Sequence, residues 1–120
     1  MWEGIPNKIQ NGLYYYMQSI AEDSAERIKR NISISYPPAS VPGMPPHKRS
    51  GELESSITSK VIKGSNKVEA HISANADYAV HLEYGTSKMA PRPFMRTELY
   101  RLNRTIWKRI AQGIETILIN

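Results

Sequence analysis

The chain has 120 residues, of which 16 are basic and 11 acidic, giving a net charge of +5. This length predicts one domain, residues 1–120, which buries about two-thirds of its unfolded surface in a single core. The absence of cysteine excludes a disulfide framework, a thiolate metal site and a cysteine nucleophile. Because we find no leader pattern and no run of ~20 apolar residues, we expect a soluble protein made in a cytoplasm, with no membrane contact.

Residues 6–34 have the pattern of a long amphipathic helix. Apolar residues recur at steps of three and four from Ile9 to Ile32, which places them on one helix face. Tyr14, Tyr15 and Tyr16 follow one another and would cover most of the helix circumference. We therefore expect at least one of them to lie outside the core and to face a neighbouring subunit, and we take Tyr15 as the candidate.

Residues 36–49 contain five prolines, among them Pro45 and Pro46. Prolines at this density prevent a helix, remove hydrogen-bond donors and favour extended backbone. A loop this long is unusual in a compact domain and is typically either functional or disordered. Two interpretations stay open: a mobile surface loop, or an arm that becomes ordered when a neighbour binds.

Residues 57–74 predict a β-hairpin, after a short helical turn that Ser50 would cap. Val68, Ala70, Ile72 and Ala74 alternate with polar residues in its second strand, which is typical of a half-buried antiparallel strand. Gly64-Ser65-Asn66 forms the turn between the strands.

Two further helices complete the pattern. Residues 77–84 predict a short helix that ends at Gly85, and residues 94–118 predict a second long helix. Together the elements predict an α+β domain in which two long helices pack on a small antiparallel sheet built around the hairpin, with a proline-rich loop. The apolar stripe of the last helix comprises Leu99, Leu102, Ile106, Ile110, Ile114 and Ile117, and Trp107 borders it.

The sequence offers little for catalysis, so we predict no catalytic, metal or cofactor site. His47, His71 and His81 lack the spacing of a metal site, and no nucleophile motif is present. Asp77 and Glu83 are six residues apart on a short helix, which does not favour one shared cleft. An enzyme that uses His81 and Asp77 is the least favoured alternative.

Basic residues cluster at the last helix, where Arg101, Arg104 and Lys108 recur at helical spacing. They indicate either a solvated face or a contact with nucleic acid or an acidic partner. A small basic DNA-binding protein is therefore the alternative function. We do not expect the chain to read a nucleic-acid sequence. The full cluster is Arg92, Arg96, Arg101, Arg104, Lys108 and Arg109.

Two segments resemble the head–tail connector, or tail-completion, proteins of long-tailed bacteriophages. The first is a Gly-x-Pro-Pro loop followed by Ser-Gly-x-Leu and Ser-Ile, within residues 42–57. The second runs from Tyr78-Ala79 through Glu83-Tyr84-Gly85-Thr86 to Arg92-Pro93-Phe94. The chain departs from the family at Thr97, where a proline is frequent; since threonine can cap a helix, we expect only a shifted helix start.

The resemblance implies a structural virion protein without a substrate, made in the bacterial host and located in the neck or tail. It implies a ring, expected to be a hexamer, that contacts head-completion or adaptor proteins and tail terminator or tail tube proteins. Whether the post is tail completion, tail termination or head completion stays open. Glu83, Thr86 and Arg92 are the expected polar contacts of the loop before the last helix. The assembly candidates are Pro45, Pro46, Tyr84, Gly85, Thr86, Arg92, Pro93, Phe94 and Tyr15.

Overall fold

A long N-terminal helix forms the axis around which the other elements pack. A computed structural model describes residues 6–34, 38–47 and 51–119, and it confirms the predicted α+β class. The folded chain measures 55 × 23 × 21 Å, so it is elongated. The elements are α1 (Asn7–Asn31), α2 (Glu52–Ser56), β1 (Ile57–Lys63), β2 (Val68–Ala74), α3 (Ala79–Tyr84), α4 (Met95–Asn103) and α5 (Ile106–Ile119).

The predicted hairpin is present. β1 and β2 pair antiparallel along their whole length, from Ile57 opposite Ala74 to Lys63 opposite Val68. The Gly64 N–H donates to the Lys67 carbonyl at 2.8 Å and closes the turn. This register places Ile57, Val61 and their partners on the face that α1 covers, because side chains alternate between the two faces of a sheet.

The core lies where the C-terminal half of α1 meets the hairpin, α2, α3 and the start of α4. Phe94 is 1% exposed and is among the largest fully buried side chains, with Ile28 and Ile32 of the first helical segment. Leu53 and Ile57 complete its buried surroundings. Phe94 therefore fixes the beginning of α4 to the core by burial of its ring.

At its other end, α1 packs against α5 through two glycines. A Cβ on Gly113 would lie 2.9 Å from the Tyr16 ring, and a Cβ on Gly12 would overlap the side chain of Ile117. Since Gly12 faces Ile117 and Tyr16 faces Gly113, the two helices run antiparallel. Their close approach depends on both positions lacking a side chain.

The single helix predicted over residues 94–118 is wrong in one respect, because the structure contains two helices there. Arg104 and Thr105 form a turn in which their N–H groups donate to Arg101 and Leu102, three residues back. Neither a proline nor a glycine stands at the break, so the local sequence does not explain it. We attribute the break to contacts with the rest of the fold. The start of α4 is fixed at Phe94 whereas α5 follows the glycine surface of α1, and one straight helix would not serve both contacts.

The predicted apolar stripe is also wrong at Leu99, which is 51% exposed, whereas Glu98 beside it is buried. The reason is electrostatic. Arg101 Nε lies 3.0 Å from both carboxylate oxygens of Glu98, and Arg27 Nε lies 3.7 Å away. A carboxylate with two cationic partners can be buried, and its position turns Leu99 outward.

The ends of two predicted helices differ slightly in the structure. The helices predicted over 6–34 and 77–84 span Asn7–Asn31 and Ala79–Tyr84. Residues 38–47 of the proline-rich loop contain neither helix nor strand. The predicted cap Ser50 and loop positions 36, 37, 48 and 49 lie outside the described residues.

No helix in the described ranges is long and apolar enough to cross a membrane.

Candidate functional site

The segment from Glu83 to Arg96, which we call the joint, connects α3 to α4 by a compact loop. α3 ends at Gly85, whose φ of 74° lies in the left-handed region. Thr86 and Met89 then exchange backbone hydrogen bonds of 2.8 and 3.2 Å. The Thr86 hydroxyl accepts a further bond from the Lys88 N–H at 3.2 Å. These local bonds give the loop a defined shape.

Glu83 caps the start of α4 from another element. Its Oε1 accepts hydrogen bonds from the N–H groups of Phe94 and Met95 at 3.0 and 2.8 Å. Its Oε2 accepts one from the Arg96 N–H at 3.2 Å. The first N–H groups of a helix have no partner within the helix, and an anion there also interacts favourably with the helix dipole. One carboxylate therefore satisfies three backbone donors.

The Arg96 side chain completes the contact. Its Nε donates to Glu83 Oε2 at 2.7 Å, and its Nη2 donates to the Glu83 carbonyl at 2.6 Å. Burial alone would raise the pKa of Glu83, but the hydrogen bonds from Arg96 and from the backbone at the start of α4 outweigh it, so this pKa is lowered. Glu83, which is 5% exposed, is thus held as a buried, compensated anion.

Gly85 has a second reason to be glycine besides its φ. A Cβ there would lie 2.7 Å from the Met89 carbonyl oxygen and 2.8 Å from the Pro91 nitrogen. Both neighbours are backbone atoms that cannot turn aside as a flexible side chain would. The loop therefore closes against a surface that only glycine leaves open.

The joint also holds the proline-rich loop. Arg92 donates from Nε to the Ser40 hydroxyl at 2.9 Å and from Nη2 to the Ser40 carbonyl at 3.2 Å. The Gly43 N–H donates to the Pro91 carbonyl at 2.9 Å. Residues 38–47 therefore have tertiary contacts within a single chain, and ordering on assembly is not needed to explain them.

The assembly candidates fall into two groups. Tyr15 and Tyr84 are exposed, by 70% and 63%, and Thr86 is exposed in the joint. The others have less exposure, and Phe94 is a core residue that anchors α4 rather than a surface contact. Pro46 is buried. The half-buried candidates are Pro45, Gly85, Arg92 and Pro93.

Thr97 does not cap α4, contrary to the expectation from the family pattern. The N-cap position is Phe94, and the Thr97 hydroxyl donates to the Pro93 carbonyl at 3.2 Å inside the first turn. The reason is that Glu83 already supplies the capping oxygens. Sequence reasoning missed the cap because the acceptor and the donors are separated by the whole loop.

Most of the predicted basic cluster is engaged inside the chain. Arg92 and Arg96 belong to the joint, Arg101 binds Glu98, and Arg109 Nη2 lies 2.9 Å from Asp23 Oδ2. Within the described ranges only Arg104 and Lys108 of the cluster make no ion pair or hydrogen bond through their side chains. The helix break also separates Arg101 from Lys108, so the continuous basic face predicted for DNA contact is not formed.

Within the described ranges the acid, base and metal candidates form no shared site, and Asp77 and His81 are exposed without a hydrogen bond or ion pair to each other. His47 bonds to the Pro38 carbonyl and His71 to Glu69, while Glu83 has both oxygens occupied by the joint. In the part of the chain that the structure describes, no group of three or more potential ligands could hold a metal ion. Two residues that sequence reasoning did not single out, Ser40 and Glu98, are buried polar contacts, and no local pattern marks either.

Comparison with known proteins identifies a family for this chain. Neither the curated proteins nor the solved structures contain a match to the chain. Residues 16–85 match the family model HK97-gp10-like, described as "Bacteriophage HK97-gp10, putative tail-component". The match covers more than half of the chain and includes most of α1, the hairpin and the joint as far as Gly85. The chain belongs to the HK97-gp10-like family of bacteriophage tail components.

Proposed function

We propose that the chain is a structural virion protein that completes the tail of a tailed phage or prophage and joins it to the filled head. It acts as a ring, expected to be a hexamer, at the head-proximal end of the tail. Its neighbours there are head-completion or adaptor proteins on one side and tail terminator or tail tube proteins on the other. Its place is the neck of the virion.

The observation that carries this proposal is the joint. A single buried carboxylate ties the end of α3 to the start of α4, and Arg92 ties the proline-rich loop to the same segment. The polar groups of Glu83 are all directed at the chain itself, as in a part whose task is to hold a shape. Rigid presentation of loops suits a protein that must match neighbours on several sides.

Complementation tests the proposal. Deleting the gene in its phage should yield filled heads and separate tails, and purified protein added to that lysate should restore plaque-forming particles. Glu83→Ala protein should fail to restore them, whereas Glu69→Ala, on β2 with a side chain 41% exposed, should succeed. Complete, infectious particles in the deletion lysate would refute the proposal.

The same lysate distinguishes a role in tail completion from a role in head completion. Separated heads and tails from the deletion can each be mixed with the complementary half from wild-type phage. If the chain completes tails, only the mutant tails should need added protein before joining. If mutant heads need it instead, the protein completes heads, and tail completion is wrong.

A further inference from the structure

The strongest unassigned feature is a pair of unpartnered surfaces on opposite flanks of the chain. The first, which we call the α1 flank, carries Tyr15, Ser19, Glu22 and Glu26. The second, the α4–α5 flank, carries Leu99, Arg104, Trp107 and Lys108. We propose that the α1 flank of one copy binds the α4–α5 flank of the next copy, head to tail. This inference rests on the proposed ring assembly and assigns the surfaces that would build it.

Exposure of large side chains marks both surfaces. Trp107 is 76% exposed, and Leu99 is 51% exposed on the neighbouring helix. Tyr15 is the most exposed of the three consecutive tyrosines. Aromatic side chains are enriched at the centres of protein–protein interfaces, where they give a large contact area with few rotatable bonds. Covering this tryptophan with a partner would remove its apolar surface from water, which stabilises a complex.

The two surfaces lie on opposite sides of the molecule. Arg109 faces the Asp23 side of α1, since the two side chains are 2.9 Å apart. Trp107 precedes Arg109 by two residues, which is about 200° around a helix, so it points to the other flank. Asp23 itself adjoins Ser19 and Glu26 at helical spacings of four and three residues.

α4 has the same orientation. The Glu98 carboxylate lies 3.0 Å from Arg101 Nε and 3.7 Å from Nε of Arg27 on α1, so this side of α4 faces α1. Leu99 precedes Arg101 by two residues and therefore also points away from the α1 flank. Both helices thus present apolar residues on one flank and hold their paired arginines on the other.

Charge decides in favour of a second copy as the occupant. Glu22 and Glu26 are exposed and, among the residues that the structure describes, contact Gln18 and Lys29 of their own helix. Arg104 and Lys108 border Trp107 and have no ion pair in the described ranges. Opposite charges around apolar centres favour one orientation of docking and speed the encounter. A DNA duplex would satisfy the cations but would leave Leu99 and Trp107 uncovered.

Head-to-tail contact between different surfaces has a consequence for assembly. Unlike a symmetric dimer contact, it leaves one free surface at each end of every oligomer, so copies add until the ring closes. The elongated shape, 55 Å long and 21–23 Å wide, suits side-by-side packing along the narrow direction.

Charge reversal tests the pairing. Arg104→Glu with Lys108→Glu, and separately Glu22→Lys with Glu26→Lys, should each weaken self-association more than about 10-fold by sedimentation or native mass spectrometry. An equimolar mixture of the two variants should recover assembly, because each reversed surface then meets an opposite one. The matched control, Lys67→Glu with Lys88→Glu, makes the same change in net charge as the first pair at exposed sites in the hairpin turn and the joint, outside both flanks, and should assemble as wild type.

Cysteine pairing tests the head-to-tail arrangement, since the chain has no cysteine of its own. Ala111 is exposed one helical turn after Trp107 and belongs to the same flank. Ser19→Cys together with Ala111→Cys should form a disulfide ladder of dimers, trimers and larger species, whereas either single variant should not. Dimers from a single variant would overturn the inference in favour of a symmetric contact.

The outcomes separate this inference from the proposed function. Wild-type protein that assembles while both charge-reversal variants assemble equally well overturns the flanks alone. Wild-type protein that stays monomeric at millimolar concentration and in the particle overturns the ring as well. Duplex binding that the Arg104→Glu, Lys108→Glu variant loses, with no change in self-association, would identify the α4–α5 flank as a nucleic-acid surface and overturn the pairing.

Discussion

The carboxylate of Glu83, at the end of α3, accepts a hydrogen bond of 2.7 Å from Nε of Arg96, thirteen residues later in α4. The same carboxylate accepts three backbone N–H groups at the start of α4. The contact therefore joins α3 to α4, and the Arg96 guanidinium, 4.7 Å from the centroid of the Tyr84 ring, adds a second contact between the two helices. Together with the burial of Phe94 and the ion pair between Glu98 and Arg27, the Glu83 contact holds the start of α4 in place.

Replacing Glu83 should show how much this contact contributes to the stability of the fold. Glu83→Ala leaves three backbone donors and the Arg96 guanidinium without their acceptor, and should lower the free energy of unfolding by about 2–4 kcal/mol. Glu83→Gln keeps an acceptor oxygen but not the charge, so we expect a loss of about 1–2 kcal/mol. Urea denaturation followed by circular dichroism measures both. Equal losses for the two variants would mean that the backbone cap contributes nothing.

Lowering the pH should destabilise the fold in part by protonating Glu83. The pKa of Glu83 is lower in the folded chain than in the unfolded chain. Its contribution to stability is therefore complete above the ordinary pKa of a glutamate, about 4.3, and is lost as the pH falls through the lowered folded value. Stability measured from pH 6 to pH 2 should fall less steeply for Glu83→Gln than for wild type. Parallel curves would show that another carboxylate dominates acid unfolding.

Much of the fold follows from periodicity. Alternation in β2 and the three-and-four spacing in α1 each reflect one buried face, and both elements are where the pattern predicts them. The break at Arg104–Thr105 and the burial of Glu98 had no such signal, because they result from contacts with α1 that lie far away in sequence. The motif around Glu83 and Gly85 marked the joint, but only the structure shows that Glu83 caps α4 and that Arg92 reaches Ser40.

Two glycines with positive φ allow the steric cost of an added methyl group to be distinguished from the cost of the backbone conformation. A Cβ on Gly85 (φ +74°) would lie 2.7 Å from a backbone oxygen, whereas a Cβ on Gly43 (φ +88°) would meet open space. Gly43→Ala should cost about 1 kcal/mol, the expense of the backbone conformation alone. Gly85→Ala should cost distinctly more, and should raise amide hydrogen exchange at Thr86 and Met89. Similar losses at both sites would indicate that the loop relaxes freely around the added methyl group.

The close contact between α1 and α5 predicts whether replacing its glycines by alanine stabilises or destabilises the fold. In a solvent-exposed helix, replacing glycine by alanine stabilises by up to about 1 kcal/mol. Gly113→Ala and Gly12→Ala should instead destabilise, because the added methyl groups meet Tyr16 and Ile117. Thermal unfolding of each variant measures the effect. A higher melting temperature for both would show that α5 does not pack on α1 as closely as the structure has it.

The most direct measurement is the position of the protein in intact virions. A small peptide tag on the chain, labelled with gold-conjugated antibody fragments and imaged by electron microscopy, locates it in purified particles. We predict label at the junction between head and tail, with electron cryo-microscopy showing a closed ring of copies there. Label at the tail tip or along the tail tube, or particles that lack the protein, would contradict a role in joining head to tail.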